Sequence, residues 1–291
     1  MKKILFVWSM TCKPTSYIQK ALDTVKPEEM TIHRVFLDGY PEFDDSSYDG
    51  LIYNTFAADW HQKFNKEVCK RTDEKYLSFK GKKILLDSHD DGTVDGMERF
   101  NDKKNPRIKY TPGYEFMKEY NVIISIPIKV WWVHIYRGEE KTNLIAYTGR
   151  KVGFNHTIRE DVAERLKPYG AFMDRQKSIN AAGRILRKSK IGIGVPGWGP
   201  IGSAHNETLA AKAVLFSHED VKKVKILPFA ELSDDISYVS FNMDNLEEKL
   251  SNLINDEEKI KYITEDGNKV FKIGYNPRRT AEEILQFFKE D

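Results

Sequence analysis

Three short segments of this chain bring together residue types that can do chemistry. In the first, the apolar pair Leu85-Leu86 runs directly into Asp87-Ser88-His89-Asp90-Asp91-Gly92. Carboxylates and an imidazole at the end of a strand stand at one edge of a sheet, where one of them can take a proton from a hydroxyl nucleophile. Asp87, His89 and Asp90 are the candidates for that base, while Asp91 opens a turn with Gly92. Two other readings fit the same residues: a polar loop closed by Asp-Gly, and a metal site using the oxygen and nitrogen donors of Asp-x-His-Asp-Asp.

The other two segments suit an anion. Ile145-Ala146-Tyr147 leads into Thr148-Gly149-Arg150-Lys151-Val152-Gly153. Gly149 lets the backbone approach a ligand, and Arg150 and Lys151 offer charge-assisted bonds to phosphate oxygens. An exposed turn would look the same. Further on, Gly194-Val195-Pro196-Gly197-Trp198-Gly199-Pro200-Ile201-Gly202-Ser203 opens into a helical stretch beginning Ala204-His205-Asn206-Glu207. Free amides at a helix start, with the dipole behind them, form an anion site. Trp198, Gly199, Gly202, Ser203 and His205 line that approach. Glu207 lies one turn inside, placed to accept from ribose hydroxyls or simply to offset the dipole. The segment is not a P-loop, lacking Gly-Lys-Ser/Thr, and it does not open the first α/β unit as a dinucleotide fingerprint would.

These segments need elements to hold them. Short apolar runs at Ile4–Trp8, Thr31–Leu37, Gly50–Tyr53, Lys83–Leu86 and Asn121–Ile126 alternate with amphipathic stretches at about 15–25 and 59–75. That alternation predicts a parallel sheet covered by helices on both faces. The pattern breaks at Pro127–Gly138, where Trp131 and Trp132 suit interdomain packing. It then restarts, with strands at Asn143–Tyr147, Lys190–Val195, Ala213–Ser217, Val224–Leu227 and Ile236–Phe241. Helices are expected at 157–167, 178–188, from 206, and at 245–255, 256–273 and 278–289. The expected domains are 1–132, 133–276 and a terminal helical segment 277–291.

The order of strand, Gly-Arg-Lys turn, glycine-rich loop, Glu-bearing helix and apolar strand resembles the donor domain of GT-B glycosyltransferases. Glu207-Thr208-Leu209-Ala210-Ala211-Lys212-Ala213-Val214-Leu215 is similar to the family's Glu-Ala-Met-Ala-x-Gly-x-x-Val pattern, with Lys212-Ala213 where glycine is commoner. The likeness covers about 143–288 well and the first half only through its strand order. It implies two Rossmann-like domains facing across a cleft, with the terminal helix crossing back onto the first. It implies that Glu207 meets the donor ribose and that Arg150 and Lys151 meet the diphosphate. It also implies a nucleoside diphosphate sugar as donor, UDP-linked by preference, with no required cofactor and no catalytic metal. Ser9, Thr11, Lys13, Asp59, Trp60 and His61 then become secondary acceptor-side candidates, and Phe172 and Met173 fall where the family cradles the base. Phage DNA β-glucosyltransferases share the Leu86-Asp87 and Gly149-Arg150 segments, the Glu207 helix and the tail.

Composition narrows the partners. Lys+Arg 46 against Asp+Glu 44 leaves a formal charge of +2, so no global field points to nucleic acid or membrane. A basic run, Lys66 through Lys83, keeps a nucleic-acid acceptor as the secondary reading. Two cysteines, Cys12 and Cys69, make no disulfide framework and suit a reducing, cytoplasmic setting. Ile4–Trp8 is too short for a signal or transmembrane segment. The expectation is a glycosyltransferase acting on a glycan or other hydroxyl acceptor. The alternatives are a DNA glucosyltransferase acting on a modified base and a catalytically silent nucleotide- or sugar-binding protein.

Overall fold

A computed structural model describes residues 1–8, 13–54, 66–87, 106–127, 130, 139–148, 156–170, 179–197 and 199–290. Among them the chain divides into two compact units. One is formed by residues up to Pro127 together with those from Asn276 onward, the other by Val130 to Tyr275. No helix of the described residues is long and apolar enough to cross a membrane.

The first unit holds six strands: β1 (Lys3–Trp8), β2 (Thr31–Phe36), β3 (Gly50–Asn54), β4 (Lys82–Asp87), β5 (Arg107–Tyr110) and β6 (Val122–Ile126). They run parallel in the order β2-β1-β3-β4-β5-β6. The continuous apolar sequences of β1 and β3 are what a strand covered on both faces requires. One face packs Leu5, Val7, Leu51, Tyr53 and Leu85 against Tyr40, Tyr76 and Phe79. Tyr76 comes from α2 (Lys66–Ser78), and its ring stacks on Tyr53 at 4.9 Å. Between β5 and β6 lies the short α3 (Tyr114–Glu119). On the other side α1 (Lys13–Leu22) packs on the last helix of the chain, which belongs to this unit.

Strand β5 is absent from the expectation, which counted five strands in this half. Arg107-Ile108-Lys109-Tyr110 alternates charged with apolar residues, a pattern that strands buried on both faces rarely show. Yet Arg107 is 3% and Lys109 1% exposed. The register sets Leu85 beside Arg107 and Asp87 beside Lys109, so one carboxylate from β4 lies with both cations.

The second unit contains β7 (Asn143–Ala146), β8 (Ser189–Gly194), β9 (Val214–His218) and β10 (Val239–Phe241), all parallel in the order β10-β9-β8-β7. Its helices are α4 (His156–Leu166), α5 (Ile179–Arg187), α6 (Ser203–Ala210), α7 (Leu246–Ile254) and α8 (Glu257–Gly274). Ile145, Ile191, Ile193, Val214, Phe216 and Phe241 meet Val162, Leu166, Leu250 and Ile263 in one core. The expected strand at 224–227 does not form. Val224, Ile226 and Leu227 are buried, but they follow a 3₁₀ turn (Glu219–Lys223), and only Val224 makes a single β-bridge, with no strand formed. Their apolarity serves packing rather than pairing.

Helix α9 (Pro277–Lys289) closes the first unit. Asn276 caps it by accepting from the Arg279 amide at 3.0 Å, and Pro277 occupies its first turn. Thr280, Ala281, Ile284, Leu285 and Phe288 are buried at helical spacing. Tyr17 and Thr280 share a buried hydrogen bond of 2.9 Å, and Arg278 pairs with Glu29 at 2.6 Å. At the far end Lys2 donates to the Phe288 carbonyl at 2.6 Å and Lys82 to that of Phe287 at 3.2 Å. Two ammonium groups thereby meet the negative end of the helix.

Candidate functional site

The carboxyl edge of the second sheet gathers the anion-binding features. β7 ends at Ala146 and continues through Tyr147, whose hydroxyl donates to the Arg159 carbonyl at 3.3 Å. Burial pushes the Tyr147 phenol up to about 12, against a smaller opposing effect of Arg159. β8 ends at Gly194 and leads into the glycine-rich segment, in which the Gly197 amide donates to the Gly199 carbonyl at 2.8 Å. Gly199 is buried, and Ile201 is 2% exposed. Gly202, in extended conformation, caps α6, which starts at Ser203.

His205 fastens this loop. It is wholly buried, with Nδ1 lying 3.1 Å from both the amide nitrogen and the carbonyl oxygen of Gly202. Its ring rests on β8 so closely that a Cβ on Gly194 would stand 2.7 Å from Nε2. Burial pulls its pKa down to about 4, with smaller contributions from Arg159 and His218, against a hydrogen bond to Gly202. At neutral pH the ring is therefore uncharged and offers a phosphate no positive charge. Glu207, two residues on, is 4% exposed.

The cation that the described structure does bring to the loop is Arg159. It comes from α4, and its Nε donates to the Pro196 carbonyl at 2.6 Å. The guanidinium fills the space beside Gly197, where a Cβ would lie 2.5 Å from Nη2, and the same nitrogen is 3.9 Å from the equivalent point on Gly202. A planar cation is thus held at the start of α6, where the helix dipole already favours an anion. The sequence reading missed it. The available signal was spacing: Arg159, Val162, Ala163 and Leu166 fall at i, i+3, i+4 and i+7, which puts an arginine on the apolar face of its helix. His218, at the end of β9, was also unread. It is 8% exposed, accepts from the Asp220 amide at 3.3 Å and meets the Phe241 ring edge-on at 5.8 Å. Gly149, Arg150, Lys151 and Trp198 lie outside the described residues.

In the first unit Asp87 ends β4 and is 4% exposed. Its Oδ2 is 3.1 Å from Lys109 Nζ and 4.0 Å from Arg107 Nη1. Each cation lies over a ring, Arg107 at 4.5 Å from Tyr120 and Lys109 at 5.2 Å from Phe116. A buried carboxylate engaged this way is held in place and shielded. His89, Asp90 and the rest of the Asp-x-His-Asp-Asp run lie outside the described residues, as do Ser9, Thr11, Asp59, Trp60, His61, Phe172 and Met173.

The basic run has a structural use. Lys83 donates to the carbonyls of Tyr76, Leu77 and Phe79, closing the end of α2, and burial lowers its pKa. Lys75 reaches the Pro41 and Phe43 carbonyls, Arg71 pairs with Glu42, and Lys82 serves α9.

No protein-family model matches the sequence, and no curated protein matches it by sequence. Solved structures do resemble it. Sucrose-phosphate synthase from Thermosynechococcus elongatus superposes with a TM-score of 0.60 at 9% identity, over 99% of this chain and 98% of that one. A glycosyltransferase from Rickettsia africae gives 0.59 at 13% identity, over 99% and 98%. HepE from Anabaena, in complex with UDP-glucose, gives 0.58 at 10% identity, over 98% and 100%. At such identities the likeness speaks to the fold, and this chain has the GT-B architecture of two Rossmann-like α/β units.

Proposed function

We propose that this chain is a glycosyltransferase that takes a UDP-linked sugar as donor and a hydroxyl group, on a glycan or other small acceptor, as nucleophile. The observation carrying the reading is the carboxyl edge of the second sheet. There the Arg159 guanidinium meets Pro196, Gly197 and the Gly202 start of α6, and Glu207 lies buried one turn into that helix. Helix amides and a planar cation suit a diphosphate, and a carboxylate one turn into the helix suits ribose hydroxyls. The complex of HepE with UDP-glucose supports a UDP-linked donor on this fold.

In this reading the acceptor's proton goes to His89 or Asp90, and Asp87 acts as a positioning carboxylate. Its pairing with Lys109 and its burial favour that division of labour. The duplex-DNA version loses support, because Lys75, Lys82 and Lys83 are committed to backbone carbonyls of this chain. Counterion release by phosphate contacts needs cations that face outward.

The test is calorimetric titration of UDP, UDP-glucose and the GDP-, ADP- and CMP-linked sugars, followed by turnover with hydroxyl acceptors. Binding of a UDP-sugar that weakens by about 1.5–3 kcal/mol in Glu207→Ala is expected. Absence of binding to every nucleotide sugar would sink the proposal. Tight binding with no turnover on any acceptor would instead identify a silent binding protein.

A further inference from the structure

The opposite edge of the second sheet, where its strands begin, holds a feature that the proposed transfer reaction does not use. Lys141 precedes β7, Lys190 lies at the start of β8, and Lys212 occupies a left-handed turn (φ 51°) between α6 and β9. With Lys261, Glu257 and Glu265 of α8 they line a cavity of about 360 Å³. Four ammonium groups from four different parts of the unit therefore meet two carboxylates. Glu257 is joined to Lys190. Lys141 donates to the Ala211 carbonyl at 2.9 Å. Burial pulls the Lys141 ammonium down to about 8, Lys212 adds repulsion, and Glu139 opposes both. Like charges brought together at a partly buried wall repel one another, and an anion placed among them would offset that repulsion.

We propose that this cavity binds a small phosphate-bearing anion, a phosphomonoester or diphosphate compound, at a site separate from the carboxyl edge. The volume is within the range of small-molecule pockets, about 300–1,000 Å³. Ammonium groups on flexible stems suit the several oxygens of such a group as point charges.

The experiment is lysine footprinting of the full chain with acetic anhydride near neutral pH, with and without inorganic pyrophosphate, read peptide by peptide in a mass spectrometer. Pyrophosphate should slow acetylation of Lys141, Lys212 and Lys261 by roughly fivefold while leaving Lys269 and Lys289 unchanged. Because the readout is residue by residue, pyrophosphate bound elsewhere does not register as protection here. The paired change Lys212→Asn and Lys261→Gln, in which asparagine tolerates the left-handed turn, should abolish protection of Lys141 without lowering the thermal midpoint. No protection, equal slowing at every lysine, or protection that survives the paired change overturns the site.

Discussion

Arg159→Ala separates a ligand-binding role from a structural one. In the absence of ligand the guanidinium does two opposed things. Its Nε bond to the Pro196 carbonyl, at 2.6 Å, ties α4 to the loop and is worth about 1.5–3 kcal/mol as a charge-assisted hydrogen bond. Its charge, however, stands at the positive end of α6, an unfavourable interaction of about 0.3–1 kcal/mol. Loss of the side chain should therefore lower folding stability by only about 1–2 kcal/mol, read from urea unfolding at unchanged m-value. Donor binding should respond differently. A diphosphate removes the repulsion and adds a charge-assisted contact, so affinity for a UDP-sugar should fall by about 2–3 kcal/mol, roughly 30- to 150-fold by calorimetry. Free uridine, which carries no phosphate, should bind as before. If UDP-sugar affinity is unchanged in a folded variant, or if uridine and UDP-sugar weaken equally, the guanidinium does not face the diphosphate and the reasoning fails.

Other outcomes follow from the same geometry. Gly197→Ala places a Cβ 2.5 Å from Nη2 and must push the guanidinium aside, so it should weaken the donor much as Arg159→Ala does, and combining the two changes should add little in a double-mutant cycle. Asp87→Asn leaves Lys109 and Arg107 buried without their carboxylate, and chemical denaturation should show a loss of about 3–5 kcal/mol. An unchanged unfolding midpoint would mean that the pair is not formed. His205 has a folded pKa of about 4 against 6.5 as the ordinary value. The unfolded chain therefore takes up the proton first, and this stabilisation is complete above about pH 6.5 and drains away as pH falls toward 4. The expected loss is about 3 kcal/mol, and His205→Gln should flatten that part of the pH–stability curve.

What the sequence revealed depended on whether a residue's environment was local. β1, β3 and β8 are short apolar runs bounded by turns, and nothing distant is needed to recognise them. The Gly194–Ser203 loop before a helix was legible for the same reason. β5 was not, because Arg107 and Lys109 are buried only by virtue of Asp87, twenty residues and more away, and of rings from α3 and its end. Val224–Leu227 erred in the other direction, since apolar residues can be buried without forming a strand. Arg159 lay on a helix whose existence was clear, yet its direction depends on the carbonyl of Pro196 across the loop. Asp87 was picked out as an acid ending a strand, and only the neighbouring strand shows how tightly it is held.

The first unit is assembled from two stretches far apart in sequence, and this bears on when it can close during synthesis. Residues 130–275 are contiguous and can complete their core as soon as they have emerged. The earlier residues cannot. Tyr17 lacks Thr280, Gly50 lacks the ring of Phe288 against it, and Lys2 and Lys82 lack the helix end they cap until the last stretch is translated. A nascent chain would carry an open apolar flank on β1 and α1 while the later unit matures. Loss of α9 would therefore damage β1 and α1, more than 250 residues earlier in sequence, far more than the segment α9 directly follows.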